Sequence, residues 1–147
     1  HFSSPDPLEM ANGVATLSVE KSTAPRTATA RIVSQLGAVS VTNPDGGTRP
    51  EIVTASYLAS DTTGAELVLA ETSSLTQDGA PVMAWQADYR TLLTQLDAAA
   101  LAYEAYYPAK TSYELDFEYK KLIPGQIGLK QLRPVPHPVP VPPPTIP

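Results

Sequence analysis

The sequence predicts an α+β domain: a mostly antiparallel sheet, one long amphipathic helix and a proline-rich C-terminal tail. Three observations carry this. Short β-branched segments separated by turn signals fill the first half of the chain. One stretch, 86–106, repeats apolar residues at spacings of three and four. Two further strand-like segments follow before prolines take over, an order that suits an α+β layer rather than alternating βα units.

Taken in order, "HFSSPDPLEM" (1–10) is polar, carries two prolines and reads as a loop or an edge segment. Residues 13–20, "GVATLSVE", alternate imperfectly, but their β-branched content favours a strand; "KSTAPR" breaks it. Residues 27–35 form a second strand candidate, and 38–42 a third after a break at Gly37. "NPDGGTRPE" (43–51) is the strongest turn signal in the chain. "EIVTASYLA" and "ELVLAET" then read as a strand pair joined by "SDTTGA", and "SLTQDGAPVM" as a loop in which Pro81 opposes regular structure.

In the helix, Tyr89, Leu92, Leu93, Leu96, Ala100, Tyr103 and Tyr107 form one apolar stripe, with Arg90, Gln95, Asp97 and Glu104 largely off it and Pro108 as the stop. Its tyrosine-rich end could stack on a ligand base, although core packing is the simpler use of that spacing. Trp85, at the helix start, reads as a core or staple residue. Strands at 113–121 and 127–132 follow, joined by "LIPGQ" with a Pro–Gly turn. Beyond Pro134, "VPHPVPVPPPTIP" favours polyproline II and reads as a stiff linker in preference to a ligand for an aromatic-lined groove. The expected organisation is a domain at 1–134 and a proline-rich linker or tail at 135–147.

Composition narrows the function classes. The 147 residues, 42% of them hydrophobic, suffice for one modest domain with a core. The net charge is -5, from 10 basic and 15 acidic residues, with no basic run, which argues against nucleic acid or an anionic membrane surface as partner. No apolar run approaches the roughly 18 residues of a membrane span. The absence of cysteine removes disulfides, thiolate metal sites and cysteine nucleophiles. His1 and His137 lie in opposite tails, which disfavours a His-based metal site or a Ser–His–Asp triad. Starting at His1 without an initiator Met or a signal-peptide pattern, the chain reads as a processed or excised piece.

The residues that could carry chemistry lie in "YELDFEYKKLIPGQIGLKQLRPVP". In a strand, residues two apart share a side, so Asp116 and Glu118 share one face while Leu115, Phe117 and Tyr119 point toward the core. On the next strand Gln131 and Arg133 share a face in the same way, with Leu129 the next residue on it and Lys130 and Leu132 opposite. If the strands pair, an acid pair, an amide and a guanidinium converge. Hard oxygen donors suit Mg²⁺, and a guanidinium grips phosphate bidentately. The alternative is a cross-strand ion pair on a solvated sheet, worth about 0.2–1 kcal/mol. Lys120 and Lys121 read as a solvated pair. In "NPDGGTRP", a plain turn is favoured over an anion cradle.

"LDFEYKK…GQIGLKQLRPVP" resembles the end of the nucleotide-binding domain of the pyruvate, phosphate dikinase and phosphoenolpyruvate synthase family, with its Asp-x-Glu-aromatic strand and its strand ending Gln-x-Arg. Asp116, Glu118, Tyr119, Gln131 and Arg133 fit that pattern. "ANGVATLS" is similar to the family's Gly-Val strand. "RIVSQLGAVSVTNPDGGTRPEIV" is similar to its Leu-Gly-Glu segment, with Gly37 in place and Ala38 where many members have Glu. The resemblance spans about residues 10–134.

It implies the C-terminal subdomain of an ATP-grasp-like PEP/pyruvate-binding domain, part of an ATP-dependent kinase-type transferase. Glu118 and Gln131 would ligate Mg²⁺ on ATP, Arg133 would stabilise charge on the transferring phosphoryl group, and Asp116 would orient Arg133 or the metal shell. Gly37 would lie among the nucleotide-binding residues. The resemblance also implies that the other half of the site comes from an upstream ATP-grasp subdomain or a partner chain, and that this chain alone is inactive. The competing expectation is a non-catalytic structural or binding module derived from the same fold and tethered by its proline-rich tail. The resemblance implies a cytoplasmic setting, whereas the lack of cysteine and the Thr/Ser/Ala/Pro-rich composition are compatible with an extracytoplasmic one.

Overall fold

The computed structural model describes residues 9–37, 48–122 and 127–134. The strand expected at 38–42, most of the 43–51 turn signal, the Pro–Gly turn and the proline tail lie outside the described residues.

Among the described residues six strands and one α-helix make up the fold, besides two short 3-10 turns: β1 (Glu9–Glu20), β2 (Thr27–Leu36), β3 (Glu51–Leu58), β4 (Glu66–Glu71), α1 (Ala87–Tyr106), β5 (Ser112–Leu122) and β6 (Ile127–Pro134). The strands form one sheet in the order β4-β3-β2-β1-β5-β6, and every described pairing is antiparallel. This is the α+β arrangement expected, with α1 covering one face. Among the described residues no helix is long and apolar enough to cross a membrane.

Alternation along the strands creates the two faces. In β1, Ala11, Ala15, Leu17 and Val19 are buried, while Asn12, Val14, Thr16, Ser18 and Glu20 between them are half-buried. The same alternation buries Ala28, Ala30 and Ile32 of β2, Val53, Ala55 and Tyr57 of β3, and Tyr113, Leu115, Phe117 and Tyr119 of β5. Against them α1 lays Tyr89, Leu92, Leu93, Leu96 and Ala100, all fully buried, so the stripe read from its sequence is the face that seals the core. Tyr103 packs at the edge of this cluster, but Tyr107 caps the helix and is exposed. Trp85 is likewise no core residue: it is 40% exposed and packs edge-on against Tyr89 at a ring separation of 5.3 Å.

One glycine is required by packing. A Cβ on Gly13 would lie 2.2 Å from the Val33 carbonyl oxygen and 2.6 Å from the Tyr119 ring. Gly13 is the register partner of both Tyr119 and Ser34, and the Tyr119 hydroxyl bonds the Ser34 hydroxyl across it. The ring therefore lies where a side chain on β1 would otherwise stand.

Asp97 departs from expectation. Placed off the helix stripe by its sequence spacing, it is buried to 4% exposure because two partners from other elements meet it. The Tyr57 hydroxyl donates to Asp97 Oδ1 at 2.7 Å and Arg26 Nη1 donates to the same oxygen at 2.9 Å. Arg26 Nε donates to Glu104 at 2.9 Å, and the Tyr113 hydroxyl also donates to Glu104. One guanidinium thus pins the second half of α1 to the sheet through two carboxylates. Lys121 also differs from the solvated lysine expected: it is half-buried and forms an ion pair with Asp88 in the first turn of α1.

Candidate functional site

The face of the sheet opposite α1 carries polar rows and one largely apolar row, set out by register. Thr54, Arg31, Thr16, Asp116 and Arg133 are successive Cα partners across β3, β2, β1, β5 and β6. One row along, Ile52, Val33, Val14, Glu118 and Gln131 are matched in the same way; on the other side come Glu66, Ser56, Thr29, Ser18 and Glu114. Asp116 and Arg133 are thus backbone partners, as are Glu118 and Gln131, the pairing that the sequence reading required. It rests on the antiparallel β5–β6 hairpin.

The register reaches that pairing through an irregularity. Between Glu118 and Tyr119 it shifts, so that Tyr119 is opposite Leu129 while Glu118 is opposite Gln131. Residue 130 is the extra residue of a β-bulge. Leu129 was expected on the same face as Gln131; the bulge instead matches it with buried Tyr119, and its side chain packs against the core. Strict two-residue alternation fails at that one step.

Three acids, Glu114, Asp116 and Glu118, recur along β5 on this face, all half-buried. Two are held by hydroxyls of β1: Thr16 Oγ1 donates to Asp116 Oδ1 at 2.7 Å, and Ser18 Oγ donates to Glu114 Oε2 at 2.8 Å. These bonds fix the carboxylates against the sheet while leaving lone pairs for a further partner. Arg31, exposed, brings a positive charge to the Asp116 row from the far side of Thr16.

A shallow depression of about 530 Å³ opens on this face, lined by Thr16, Ser18, Thr29, Thr54, Ser56 and Glu114 among others. Asp116 and Glu118 lie beside it rather than in its lining. The hydroxyl bed is the feature that sequence reading missed, although a signal was there: Ser or Thr at i and i+2 in three strands, at 16 and 18, 27 and 29, and 54 and 56.

Gly37 stands apart from these rows. It ends β2 with φ +61°, donates its N–H to the Met10 carbonyl at 2.7 Å and accepts from the Asn12 side-chain amide at 3.0 Å. The last β2 residue, Leu36, pairs with Ala11, whereas Glu118 is level with Val14. Gly37 thus closes one end of the sheet, three β1 positions or more from the Glu118 row.

Among the described residues no group of three or more His, Asp or Glu side chains is arranged to hold a metal ion. The donor set that the register does offer is one carboxylate, Glu118, matched with one amide, Gln131. Such a pair leaves most of an octahedral shell open, which fits a magnesium ion carried in on phosphates and water better than an ion caged by protein. No family model, no curated protein and no solved structure matches the chain.

Proposed function

We propose that the polar sheet face is one wall of a magnesium–nucleotide cleft and that the chain is the C-terminal subdomain of an ATP-grasp-like phosphotransferase, of the dikinase and synthase type that its β5–β6 sequence resembles. The observation that supports this most directly is the register of Asp116 with Arg133 and of Glu118 with Gln131. It sets the acid, the amide and the guanidinium of the motif on two hydrogen-bonded strands.

In this reading Glu118 and Gln131 hold Mg²⁺, which when bound neutralises and orients the nucleotide phosphates. Arg133 grips a phosphate edge with two parallel N–H donors. Asp116, anchored by Thr16, keeps the Arg133 guanidinium in place. Phosphoryl transfer draws mainly on positioning and on fixed charge aimed at the phosphoryl oxygens, so a rigid sheet face suits the task. The second wall belongs to another ATP-grasp subdomain or a partner chain, because a face this open excludes water from a nucleotide on one side only. Gly37 contributes in this reading as the turn that ends the wall.

The test is Mn²⁺–ATP added to ¹⁵N-labelled chain, with amide broadening as readout. Broadening centred on residues 116–118 and 131–133, absent with Mn²⁺ alone and lost in Glu118→Gln, is the expected result. Equal broadening with Mn²⁺ alone, or none, overturns the reading and leaves a non-catalytic module.

A further inference from the structure

The proline-rich segment plays no part in that cleft, and the fold gathers aromatic side chains where it begins. Four of the seven tyrosines, Tyr103, Tyr106, Tyr107 and Tyr113, meet where α1 ends and β5 starts. Their rings form a chain: Tyr113 to Tyr103 at 4.8 Å, Tyr103 to Tyr107 at 4.8 Å, and Tyr107 to Tyr106 at 6.4 Å. Successive planes are tilted by 43°, 42° and 41°, which makes a fluted surface rather than a flat stack. Tyr113 is buried at one end, whereas Tyr107 is 53% and Tyr106 83% exposed. Core packing accounts for Tyr113 and most of Tyr103; it does not account for the outer two rings.

Register brings the tail to this place. β6 runs antiparallel to β5, and its last residue, Pro134, is the partner of Leu115. β6 therefore ends pointing toward the start of β5, where Tyr113 stands two residues before Leu115. Adjacent strands are about 5 Å apart and each residue advances about 3.3 Å, so Pro134, from which the segment continues, stands within roughly 10 Å of Tyr113.

The sequence that starts there is suited to such a surface. Residues 135–147 contain Val-Pro at 135–136, 139–140 and 141–142, followed by Pro143 and Pro144. Proline favours polyproline II, with three residues and about 9 Å per turn, and leaves carbonyls without backbone N–H partners. Aromatic-lined grooves recognise such helices by seating prolines between rings while hydroxyls donate to the carbonyls. The rings outside the core, from Tyr103 through Tyr107 to Tyr106, span about one turn of that helix.

We propose that the tyrosine cluster at the end of α1 is a groove that docks the proline-rich segment of this chain, residues 135–147. Tyr106 and Tyr107 form its outer wall, and their hydroxyls donate to proline carbonyls. Docking folds the segment back along the helix side of the sheet instead of projecting it into solvent. The proposal is independent of the nucleotide reading, since the two surfaces lie on opposite sides of β5.

The chain has no cysteine, so Val141→Cys gives a single attachment point for a nitroxide. In the full-length ¹⁵N chain, the expected result is strong paramagnetic broadening of the amides of 103–107, with β4 amides unaffected and recovery in Tyr106→Ala/Tyr107→Ala. The wild-type pattern is decisive by itself, whatever the fold of that double variant. Uniform weak broadening overturns the proposal. So does broadening seen only when unlabelled nitroxide-bearing chains are mixed with ¹⁵N chains lacking the nitroxide, which would mean that the groove takes the tail of a second copy.

Discussion

The two faces of one sheet, built by the same strands, follow different rules. On the α1 side, side chains from the six strands and the helix close over one another, and most buried polar groups there are tied to a specific partner, Arg26 Nη2 and Gln95 Oε1 being the exceptions among the described residues. Glu51 shows it: fully buried, it accepts from the Tyr89 hydroxyl at 2.6 Å and from the Val82 N–H at 2.8 Å. On the other side, hydroxyls and carboxylates make short bridges between neighbouring strands and remain open to a further partner. Stability is invested in the first face, and the second is left available for recognition.

Adjacent residues of β5 provide the sharpest way to break that contrast. Phe117→Ala, on the core face, should cost about 3–5 kcal/mol in urea unfolding, through lost burial and the cavity left behind. Its neighbour Glu118→Gln should stay within about 0.5 kcal/mol of the parent in the same measurement, even as it removes the Mn²⁺–ATP effect. Equal costs at both positions would erase the distinction between the faces. Next in size is Gly13→Ala, where the new methyl group meets the Val33 carbonyl and the Tyr119 ring. Relief demands movement of two strands, for a loss of about 1–3 kcal/mol by thermal or chemical denaturation.

A smaller effect comes from Glu51. Burial raises its carboxyl pKa above the ordinary value, against the opposing influence of the Tyr89 and Val82 hydrogen bonds. The folded state therefore binds a proton more readily than the unfolded chain. Glu51's contribution is most favourable below its unfolded pKa and is lost as pH rises through the raised folded value. Denaturation midpoints measured from mildly acidic to neutral pH should show this decline in the parent chain and a flatter profile in Glu51→Gln.

How far this could be read in advance depended on the range of the interaction. Leu115, Phe117 and Tyr119 announce a buried strand face by simple alternation, and the stripe from Tyr89 to Ala100 announces the helix. That β5 and β6 pair was legible because the two strands are neighbours in sequence. Three features were not. β1 begins at Glu9 rather than Gly13: Ala11 and Asn12 lack β propensity and are held by pairing with β2 and β5, and Glu9 by pairing with β5. The bulge at residue 130 leaves no mark in composition. The burial of Asp97 depends on Arg26, 71 positions earlier, and on Tyr57, 40 positions earlier. No local window contains either partner.

The central place of β1 has a consequence for how this molecule comes into being. The first described strand shares its ladder with β5, so that Thr16 waits for Asp116, 100 positions later. During synthesis β1 to β4 can assemble only as a sheet with a raw inner border, exposed until β5, residues 112–122, has been made. Such long-range closure sets a slow pace for folding and makes a ribosome-stalled or C-terminally clipped chain prone to recruit a stranger's strand at that border.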